Sequence, residues 1–476
     1  MSVRPAFTLE VGQNEYLHAT ADEMHAILTI SARGLADLGS TLAEVILVDC
    51  SGSMGWPSTK IAAARRASAA AIDTLRDGSL FAVVAGTSSA RMVYPARPEL
   101  AVVTPESRAA AKEAVRWLED HGGTAMSTWL HRAREIFTTR PAVIRHAILL
   151  TDGRNESESA ARLDAELGAC EGLFSCDARG IGDGWESDEL LRIAGRLRGT
   201  ADAVREDSEL VADFQKMTRS AMRKVVPDLR VRFRLLPGVG IRFVKQVFPV
   251  EADLTGQLRQ VGDRTVEFAT GSWGEESREY HVCLTADPAG HASGERLRLA
   301  RVDLVADGTA GPEVDVPATG APILVHWTGE PVLSSRIHLK VGHYTEHVEL
   351  REAINAGCGA YESGDVEEAE RAWGRAVRLA AELDNQKNLD RLSCLVHIDD
   401  AAQGKVRLRE TIEGGDLKRV KVTSVVSSMS PGSLARPLHP KPDEQPVATS
   451  RRCPQGHLVL AGHGYCRECG IKLEAP

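Results

Sequence analysis

The run from Val45 to Met54 constrains the fold more than any other stretch of this sequence. It reads V-I-L-V-D-C-S-G-S-M, so four apolar residues lead directly to Asp49, Ser51 and Ser53. A short unbroken apolar run bounded by a turn is typical of a strand that is buried on both faces. The Ala-rich stretch 57–75 then predicts a helix. We therefore expect Asp49 at the carboxyl end of a buried strand, the edge where open α/β sheets bind ligands.

The whole segment 40–222 alternates between strand-like and helix-like patterns. This alternation predicts an α/β fold with a mostly parallel, doubly wound sheet of Rossmann-like type and helices on both faces. The run 90–95 follows 80–86 after a short turn, which predicts one antiparallel edge strand. Strands are predicted near 43–49, 80–86, 90–95, 144–151, 174–180 and 201–205, and helices near 57–76, 105–119, 127–137, 158–169, 187–197 and 207–222.

Two later stretches offer oxygen ligands of the same kind. Residues 121–124 read H-G-G-T and open a helix, so Thr124 supplies a hydroxyl. Residues 147–153 read A-I-L-L-T-D-G, a second buried strand with Asp152 at its end. Hard oxygen donors such as these suit Mg²⁺, Mn²⁺ or Ca²⁺ rather than zinc or copper. The D-x-S-x-S motif alone is also compatible with an ordinary strand-to-helix turn that has a capping serine.

Taken together, these three stretches resemble the von Willebrand factor type A domain with its metal-ion-dependent adhesion site. The resemblance implies that one Mg²⁺ (or Mn²⁺) is held, directly or through water, by a set of five residues. It also implies that the last coordination position is open to an Asp or Glu carboxylate of a partner protein. The implied ligands are Asp49, Ser51, Ser53, Thr124 and Asp152.

The segments on either side of this unit show a different pattern. Residues 1–38 and 225–335 alternate between apolar and polar positions, as half-buried antiparallel strands do. We infer one discontinuous β-sandwich into which the type A domain, residues 40–222, is inserted, an arrangement similar to that of integrin β subunits. The arginines that alternate along 230–234 are interpreted as the solvated side of a strand, since no aromatic platform for nucleic acid accompanies them.

Two further segments follow the predicted sandwich. Residues 340–404 have a helical period, and Tyr361, Gly364 and Trp373 resemble part of one tetratricopeptide unit. A single unit predicts a helical hairpin packed on the sandwich better than a peptide-binding array, because such arrays need about three repeats. Residues 405–450 are charged, then Ser-rich, then Pro-rich, which predicts a disordered linker whose hydroxyls are either spacer residues or phosphorylation sites.

The last segment, residues 451–476, carries a cysteine-rich motif. Cys453 and His457 are followed by the pair Cys466 and Cys469. This pairing predicts a tetrahedral Zn²⁺ site in a small zinc ribbon, because so short a segment cannot form an apolar core unaided. His463 is an alternative to His457. A redox C-x-x-C is the competing interpretation, but no strand–helix context surrounds the motif.

Composition limits the classes of partner and compartment. The formal net charge of the 476 residues is −9, which argues against general binding to nucleic acid or to an anionic membrane. No apolar run approaches the roughly 20 residues that span a bilayer, and no secretory leader is apparent, so we expect a cytoplasmic protein. Six scattered cysteines suit a reducing compartment better than a disulfide framework. A disulfide between Cys170 and Cys176 is not expected.

These patterns predict a non-enzymatic scaffold that captures an acidic side chain of a partner protein through a bound metal. One alternative is a non-ATPase subunit that works with an AAA+ ATPase of the Mg²⁺-chelatase kind, since the sequence has no Walker A motif of its own. Another is a module linked to a Ser/Thr kinase and a phosphatase, because type A proteins of bacterial tellurium-resistance clusters also end in a cysteine-rich region.

A regulatory hypothesis follows from the predicted helix 207–222. It would join the metal-binding domain directly to the sandwich at Val225. In related adhesion domains the last helix shifts when the metal takes a ligand. We expect the same displacement here, with the sandwich moving in response.

Overall fold

The computed structural model describes residues 4–36, 38–140, 144–204, 206–290, 295–306, 313–427, 451–452, 454–455 and 458–459. Three strands begin the chain: β1 (Ala6–Gln13), β2 (Tyr16–His18) and β3 (Glu23–Arg33). The α/β unit follows with strands β4 (Leu42–Asp49), β5 (Leu80–Gly86), β6 (Ala90–Tyr94), β7 (Ala101–Val102), β8 (Ile144–Thr151), β9 (Ser175–Ile181) and β10 (Ala201–Val204). Its helices are α1 (Thr59–Thr74), α2 (Pro105–Arg116), α3 (Met126–Thr138), α4 (Ala160–Cys170), α5 (Ser187–Arg196) and α6 (Leu210–Met222).

The sheet of this unit has the strand order β10-β9-β8-β4-β5-β6. Strands β10, β9, β8, β4 and β5 run parallel, whereas β6 pairs antiparallel with β5, as its short connection predicts. Every residue of β4 is buried, which follows from an apolar run that has helices on both sides. Helices α3, α4 and α5 cover one face, and α1, α2 and α6 cover the other. The predicted mixed α/β fold is therefore confirmed.

Antiparallel strands form a second body. They are β11 (Leu229–Leu235), β12 (Gly240–Phe248), β13 (Ala252–Asp253), β14 (Arg259–Gly262), β15 (Thr265–Ala269), β16 (Ser277–Thr285), β17 (Arg296–Ala306) and β18 (Ala321–Thr328). One sheet has the order β1-β3-β16-β12-β13, and the other has β14-β15-β11-β17-β18-β2. Both sheets thus combine strands from before and after the α/β unit, and their inward side chains share one apolar core.

Helices and a small hairpin follow the sandwich. They are α7 (Pro331–Ser334), α8 (Leu339–Glu362), α9 (Val366–Glu382), α10 (Gln386–Leu392), β19 (Val396–Asp400), β20 (Lys405–Leu408) and α11 (Gly414–Thr423). Helices α8 and α9 form a hairpin whose close approach needs a glycine, because a Cβ at Gly357 would lie 2.5 Å from the Trp373 ring. At its start, α8 packs on the first sheet through Val341 and Tyr344, which contact Ile27.

The expectation of a linker from residue 405 onward is wrong for residues 405–427. Helix α11 buries Leu417 and Val420 against the helical hairpin and Val422 against the α/β unit. The basic residues that suggested a solvated stretch include a docking contact: Arg419 is 3% exposed and donates to the Val204 carbonyl of β10 at 3.2 Å. A short amphipathic helix among charged residues gives little signal in composition. Residues 428–450 lie outside the described residues.

Two hydroxyls of the predicted linker, interpreted as spacer residues or phosphorylation sites, lie in this docked segment. Thr423 and Ser424 are each 1% exposed and donate hydrogen bonds to backbone carbonyls of α11. Neither hydroxyl is accessible to a kinase in this arrangement. Among the described residues, no helix is long and apolar enough to cross a membrane.

Candidate functional site at the sheet edge

The predicted ligands Asp49 and Asp152 follow neighbouring strands of the α/β sheet. Asp49 ends β4, and Asp152 directly follows β8, which pairs in parallel with β4. The chain leaves β4 toward β5 on one side and later returns to β8 on the other side. This reversal is the topological switch point at which open α/β sheets bind ligands. The two carboxylates are therefore brought to one edge by the topology itself.

Hydrogen bonds connect the oxygens of the first loop to those of the second. Ser51 and Ser53 have their hydroxyl oxygens 3.0 Å apart, and Ser53 donates to Asp152 Oδ1 at 2.6 Å. The Ser51 amide donates to Asp49 Oδ1 at 2.8 Å. Adjacent ligands of an octahedral Mg²⁺ lie about 3.0 Å apart, given Mg–O distances of roughly 2.1 Å. The spacing of the two serine hydroxyls matches that edge.

Thr124 joins the same cluster from the loop before α3. A Cβ built on Gly153 would lie 3.3 Å from Ser53 Oγ, 3.5 Å from Thr124 Oγ1 and 4.0 Å from Ser51 Oγ. The three hydroxyls therefore converge over Gly153, which leaves the space between them open because it has no side chain. The structure brings all five predicted residues together, and we call them the cradle.

The loop that carries Thr124 is fixed from both sides. The His121 amide donates to the Cys50 carbonyl at 2.7 Å, and the Gly52 amide donates to the Gly122 carbonyl at 2.9 Å. At the start of α3, the Met126 amide donates to Asn155 Oδ1 at 2.8 Å. A side-chain oxygen at this position satisfies an otherwise unpaired amide of the first helical turn. These bonds tie the loops of the cradle to one another.

Burial governs the electrostatics of Asp49. The carboxyl group is 0% exposed, and this desolvation raises its pKa to about 6. Hydrogen bonds from Thr151 and Ser51 oppose the shift because they favour the ionised form. The Thr151 hydroxyl donates to Asp49 Oδ2 at 2.6 Å. A divalent cation beside this carboxylate would restore the ionised form at lower pH.

A lysine of the first turn of α1 also contacts the cradle. Lys60 Nζ lies 2.7 Å from Asp152 Oδ2, and the two side chains are 14% and 0% exposed. Asp152 therefore divides its two oxygens between the Lys60 ammonium and the Ser53 hydroxyl. The D-x-S-x-S motif does not identify Lys60 as a partner of Asp152, but its position in the sequence could have suggested one. A lysine near a helix N-terminus opposes the helix dipole, so it needs a nearby anion.

The donor set decides which ions suit the cradle. All five side chains offer hard oxygens, three of them neutral hydroxyls, which favours Mg²⁺ or Mn²⁺ over softer ions. Ser53 is exposed, whereas Asp49, Ser51, Thr124 and Asp152 are buried, so the cradle opens to solvent on the Ser53 side.

The second predicted metal site cannot be placed. Cys453, His457, Cys466 and Cys469, as well as the alternative ligand His463, lie outside the described residues. Of this segment the structure describes a short antiparallel pair, β21 (Arg451–Arg452) with β22 (Leu458–Val459). The six cysteines of the described residues are all free thiols, including Cys170 and Cys176.

Comparisons with known proteins identify the family of the α/β unit and relatives of the whole fold. Residues 43–203 match the family model of the von Willebrand factor type A domain. The solved structure of von Willebrand factor type A from Catenulispora acidiphila is 42% identical; the match covers 90% of this chain and 98% of that chain, with a TM-score of 0.82. The ArnB paralog VWA2 from Sulfolobus acidocaldarius is 13% identical over 90% of this chain and 100% of its own, with a TM-score of 0.52, a likeness of fold alone. A comparison with curated proteins gives no match.

Proposed function

Because the chain belongs to the von Willebrand factor type A family, whose domains generally mediate protein–protein interaction, we propose that it is a divalent-metal-dependent binding scaffold. The observation that carries this proposal is the convergence of three hydroxyls and two carboxylates at the switch point of the sheet. We propose a cytoplasmic, non-catalytic role in which the cradle captures an Asp or Glu side chain of a partner protein.

The charge balance of the cradle supports capture of an acidic group. Asp49 and Asp152 would together neutralise a bound Mg²⁺ or Mn²⁺, but Lys60 already pairs with Asp152. The ensemble of ion, Lys60 and two carboxylates then carries a net charge of about +1. A carboxylate from a partner would bring that charge to zero and supply one more hard oxygen ligand. A neutral amide or hydroxyl could supply the oxygen but would leave the charge in place, and a basic side chain would do neither.

An aromatic residue at the rim offers a contact for the same partner. Trp56 follows the cradle loop directly, and its residue surface is 85% exposed. Tryptophan is over-represented among the residues that contribute most to protein interfaces. We propose that the partner covers Trp56 while its carboxylate reaches the cradle.

The test is an affinity capture with the full chain, with Asp49→Asn and with Trp56→Ala, each with Mg²⁺ and with EDTA. Partners of the cradle should be retained by the wild type with Mg²⁺, and they should be lost with EDTA or with the Asp49→Asn variant. Trp56→Ala should weaken capture while Mg²⁺ binding is unchanged. Asp73→Asn is the matched control, because Asp73 lies exposed on α1 and pairs with Lys112. Capture that survives both EDTA and Asp49→Asn would contradict the proposal.

We further propose that occupation of the cradle is transmitted through α6. Helix α6 packs against α1, which begins four residues after the cradle loop ends at Gly55. Beyond α6 the amides of Val225 and Val226 both donate to the Trp273 carbonyl of the sandwich, at 2.8 and 3.0 Å. Hydrogen exchange in 210–222 should change when Mg²⁺ and partner are added. Exchange that is indifferent to both would contradict this transmission.

The C-terminal cysteine motif is proposed as a structural Zn²⁺ site. Strands β21 and β22, which flank the first ligand pair in the sequence, pair with each other in antiparallel fashion. Zinc analysis of the full chain in a Cys283→Ser background tests this, with the added Cys466→Ser change expected to remove one equivalent of zinc. An unchanged zinc content after Cys466→Ser would contradict it.

A further inference from the structure

A second cluster of ligand-type side chains lies on the sandwich, outside the cradle. Strand β3 pairs antiparallel with β16, and His25 stands directly opposite Cys283. Because side chains alternate along a strand, Glu23 lies on the same face as His25, and His281 on the same face as Cys283. The intervening residues point into the sandwich core: Met24, Ala26, Val282 and Leu284. The cluster therefore occupies the outer face of the first sheet.

We propose that Glu23, His25 and Cys283 form a binding site for Zn²⁺ or another borderline divalent transition metal. Glu23 Oε2 lies 3.6 Å from His25 Nε2 and 3.8 Å from Cys283 Sγ. His25 Nε2 lies 3.9 Å from Cys283 Sγ. In a tetrahedral zinc site, pairs of such ligands are about 3.4 to 3.6 Å apart, given metal–ligand bonds of roughly 2.0 to 2.3 Å. Closing the set around an ion needs movements of only a few tenths of an ångström.

The three ligand types also select the metal. One imidazole nitrogen, one thiol sulfur and one carboxylate oxygen form a mixed set that suits Zn²⁺ and related ions, whereas Mg²⁺ and Ca²⁺ prefer oxygen alone. Within the described part of the chain, this is the one group of three or more His, Cys, Asp or Glu side chains whose ligand atoms all lie within 4.8 Å of one another.

Neighbouring side chains hold the ligands as outer partners of a metal site do. Arg242 forms an ion pair with Glu23 Oε1, which leaves Oε2 facing the other two ligands. His281 Nε2 lies 3.0 Å from His25 Nδ1. His281 is buried, and as a neutral imidazole it can accept the proton of His25 Nδ1. His25 Nε2 then presents its lone pair toward Glu23 and Cys283, and such second-shell contacts commonly orient metal-binding histidines.

The cluster is accessible from solvent. The side chains of Glu23 and His25 are 32% and 33% exposed, whereas Cys283 is buried behind them. Three protein ligands would leave a fourth position for water or for another ligand. Zinc binding requires the thiolate, so it would displace the thiol proton of Cys283 into solvent.

The test must separate this cluster from the C-terminal cysteines and from the cradle. The full chain is therefore prepared with Cys453→Ser, Cys466→Ser and Cys469→Ser together. Co²⁺ is titrated under anaerobic conditions, since a cobalt ion bound by a thiolate absorbs strongly in the near ultraviolet. The cradle contains no thiolate and cannot produce this band. We expect one equivalent of Co²⁺ with the band, and displacement of that Co²⁺ by one equivalent of Zn²⁺.

Variants in the same background identify the ligands. Cys283→Ser should abolish the band, and His25→Ala should weaken metal binding at least about tenfold. Cys394→Ser is the control, because Cys394 lies on the helical region away from the cluster and should leave the band unchanged. Circular dichroism without metal verifies that each variant is folded. Absence of the band in the background protein, or its persistence in folded Cys283→Ser, would overturn the proposal.

Discussion

The cradle of the α/β unit and the cluster of the sandwich are both candidate metal sites, but they are built in opposite ways. The cradle collects five oxygens from loops that follow parallel strands or precede a helix. The cluster collects nitrogen, sulfur and oxygen from two antiparallel strands, and His25 and Cys283 are 258 positions apart. One site is made by strand ends, the other by strand register.

This difference decides which site a sequence can reveal. Parallel strands end at a common edge whatever their exact register, so a motif at each strand end suffices to predict the cradle. The cluster exists only because His25 stands opposite Cys283, and a shift of one residue would send one partner into the core. No motif in the sequence around Glu23, His25 or Cys283 predicts that pairing.

The largest expected effect concerns the stability of the strands that end in the cradle. His146 on β8 lies 3.0 Å from both Glu44 carboxylate oxygens and 3.2 Å from Asp177 Oδ2, and it is buried. His146→Ala would leave the buried Glu44 carboxylate without its cation, whereas Asp177 keeps its hydrogen bonds from Thr200, so the free energy of unfolding should fall by about 3 to 5 kcal/mol. His281→Ala should lower the free energy of unfolding much less, because its neighbours His25 and Lys245 are partly exposed. Urea unfolding at pH 7 measures the stability of both variants. An equal loss of unfolding free energy in the two variants would contradict the prediction.

The same histidine predicts a pH dependence. Burial disfavours the imidazolium of His146, but attraction to Glu44 and the hydrogen bond to Asp177 outweigh it and raise the pKa to about 10. The folded state therefore binds the proton more tightly than the unfolded state, whose histidine has a pKa near 6.5. The stabilisation is complete below about pH 6.5 and is lost as the pH rises through 10. Unfolding at pH 6, 8 and 10 should show this decline, and His146→Ala should abolish it.

The next effect concerns the conflict between stability and binding in the cradle. The pKa of Asp49 is raised to about 6 by burial, so its ionisation opposes folding. The free energy of unfolding should fall as the pH rises from about 4 through 6 and stay lower above that range. Asp49→Asn should then stabilise the metal-free protein at pH 7.5 by about 1 to 2 kcal/mol. Thermal unfolding in EDTA at pH 4.5 and 7.5 measures this, and a loss of stability at pH 7.5 would contradict it.

The smallest effect concerns Lys60, which pairs with a ligand of the cradle as Arg242 pairs with Glu23 in the cluster. The Lys60 ammonium competes with a bound ion for Asp152. Lys60→Met should tighten Mg²⁺ binding roughly fivefold, equivalent to about 1 kcal/mol of charge repulsion removed. Calorimetric titration compares the variant with Lys112→Met, whose lysine pairs with exposed Asp73. Weaker Mg²⁺ binding in Lys60→Met would show that the ammonium supports the ion instead.

The bounds of the strands that end in the cradle are predicted closely from the sequence. A continuous apolar run such as β4 fits only a strand with both faces buried. The sequence does not reveal Thr151 as the donor to Asp49, since a hydroxyl beside an aspartate has many uses. It also misses helix α11, whose buried Arg419 looks like a surface charge until its bond to the distant Val204 carbonyl is known. Local patterns locate elements and motifs, whereas partners that are distant in sequence become visible only in the fold.

The central claim is that the five residues of the cradle bind a divalent cation. Isothermal titration of Mg²⁺, and separately of Mn²⁺, into the full chain tests it most directly, with Asp49→Asn and Asp152→Asn as variants and Asp73→Asn as the control. The account predicts saturable uptake of one ion by the wild type and by Asp73→Asn, and none at that site in either cradle variant. Uptake that persists in folded Asp49→Asn and Asp152→Asn, or no uptake by the wild type, would contradict it.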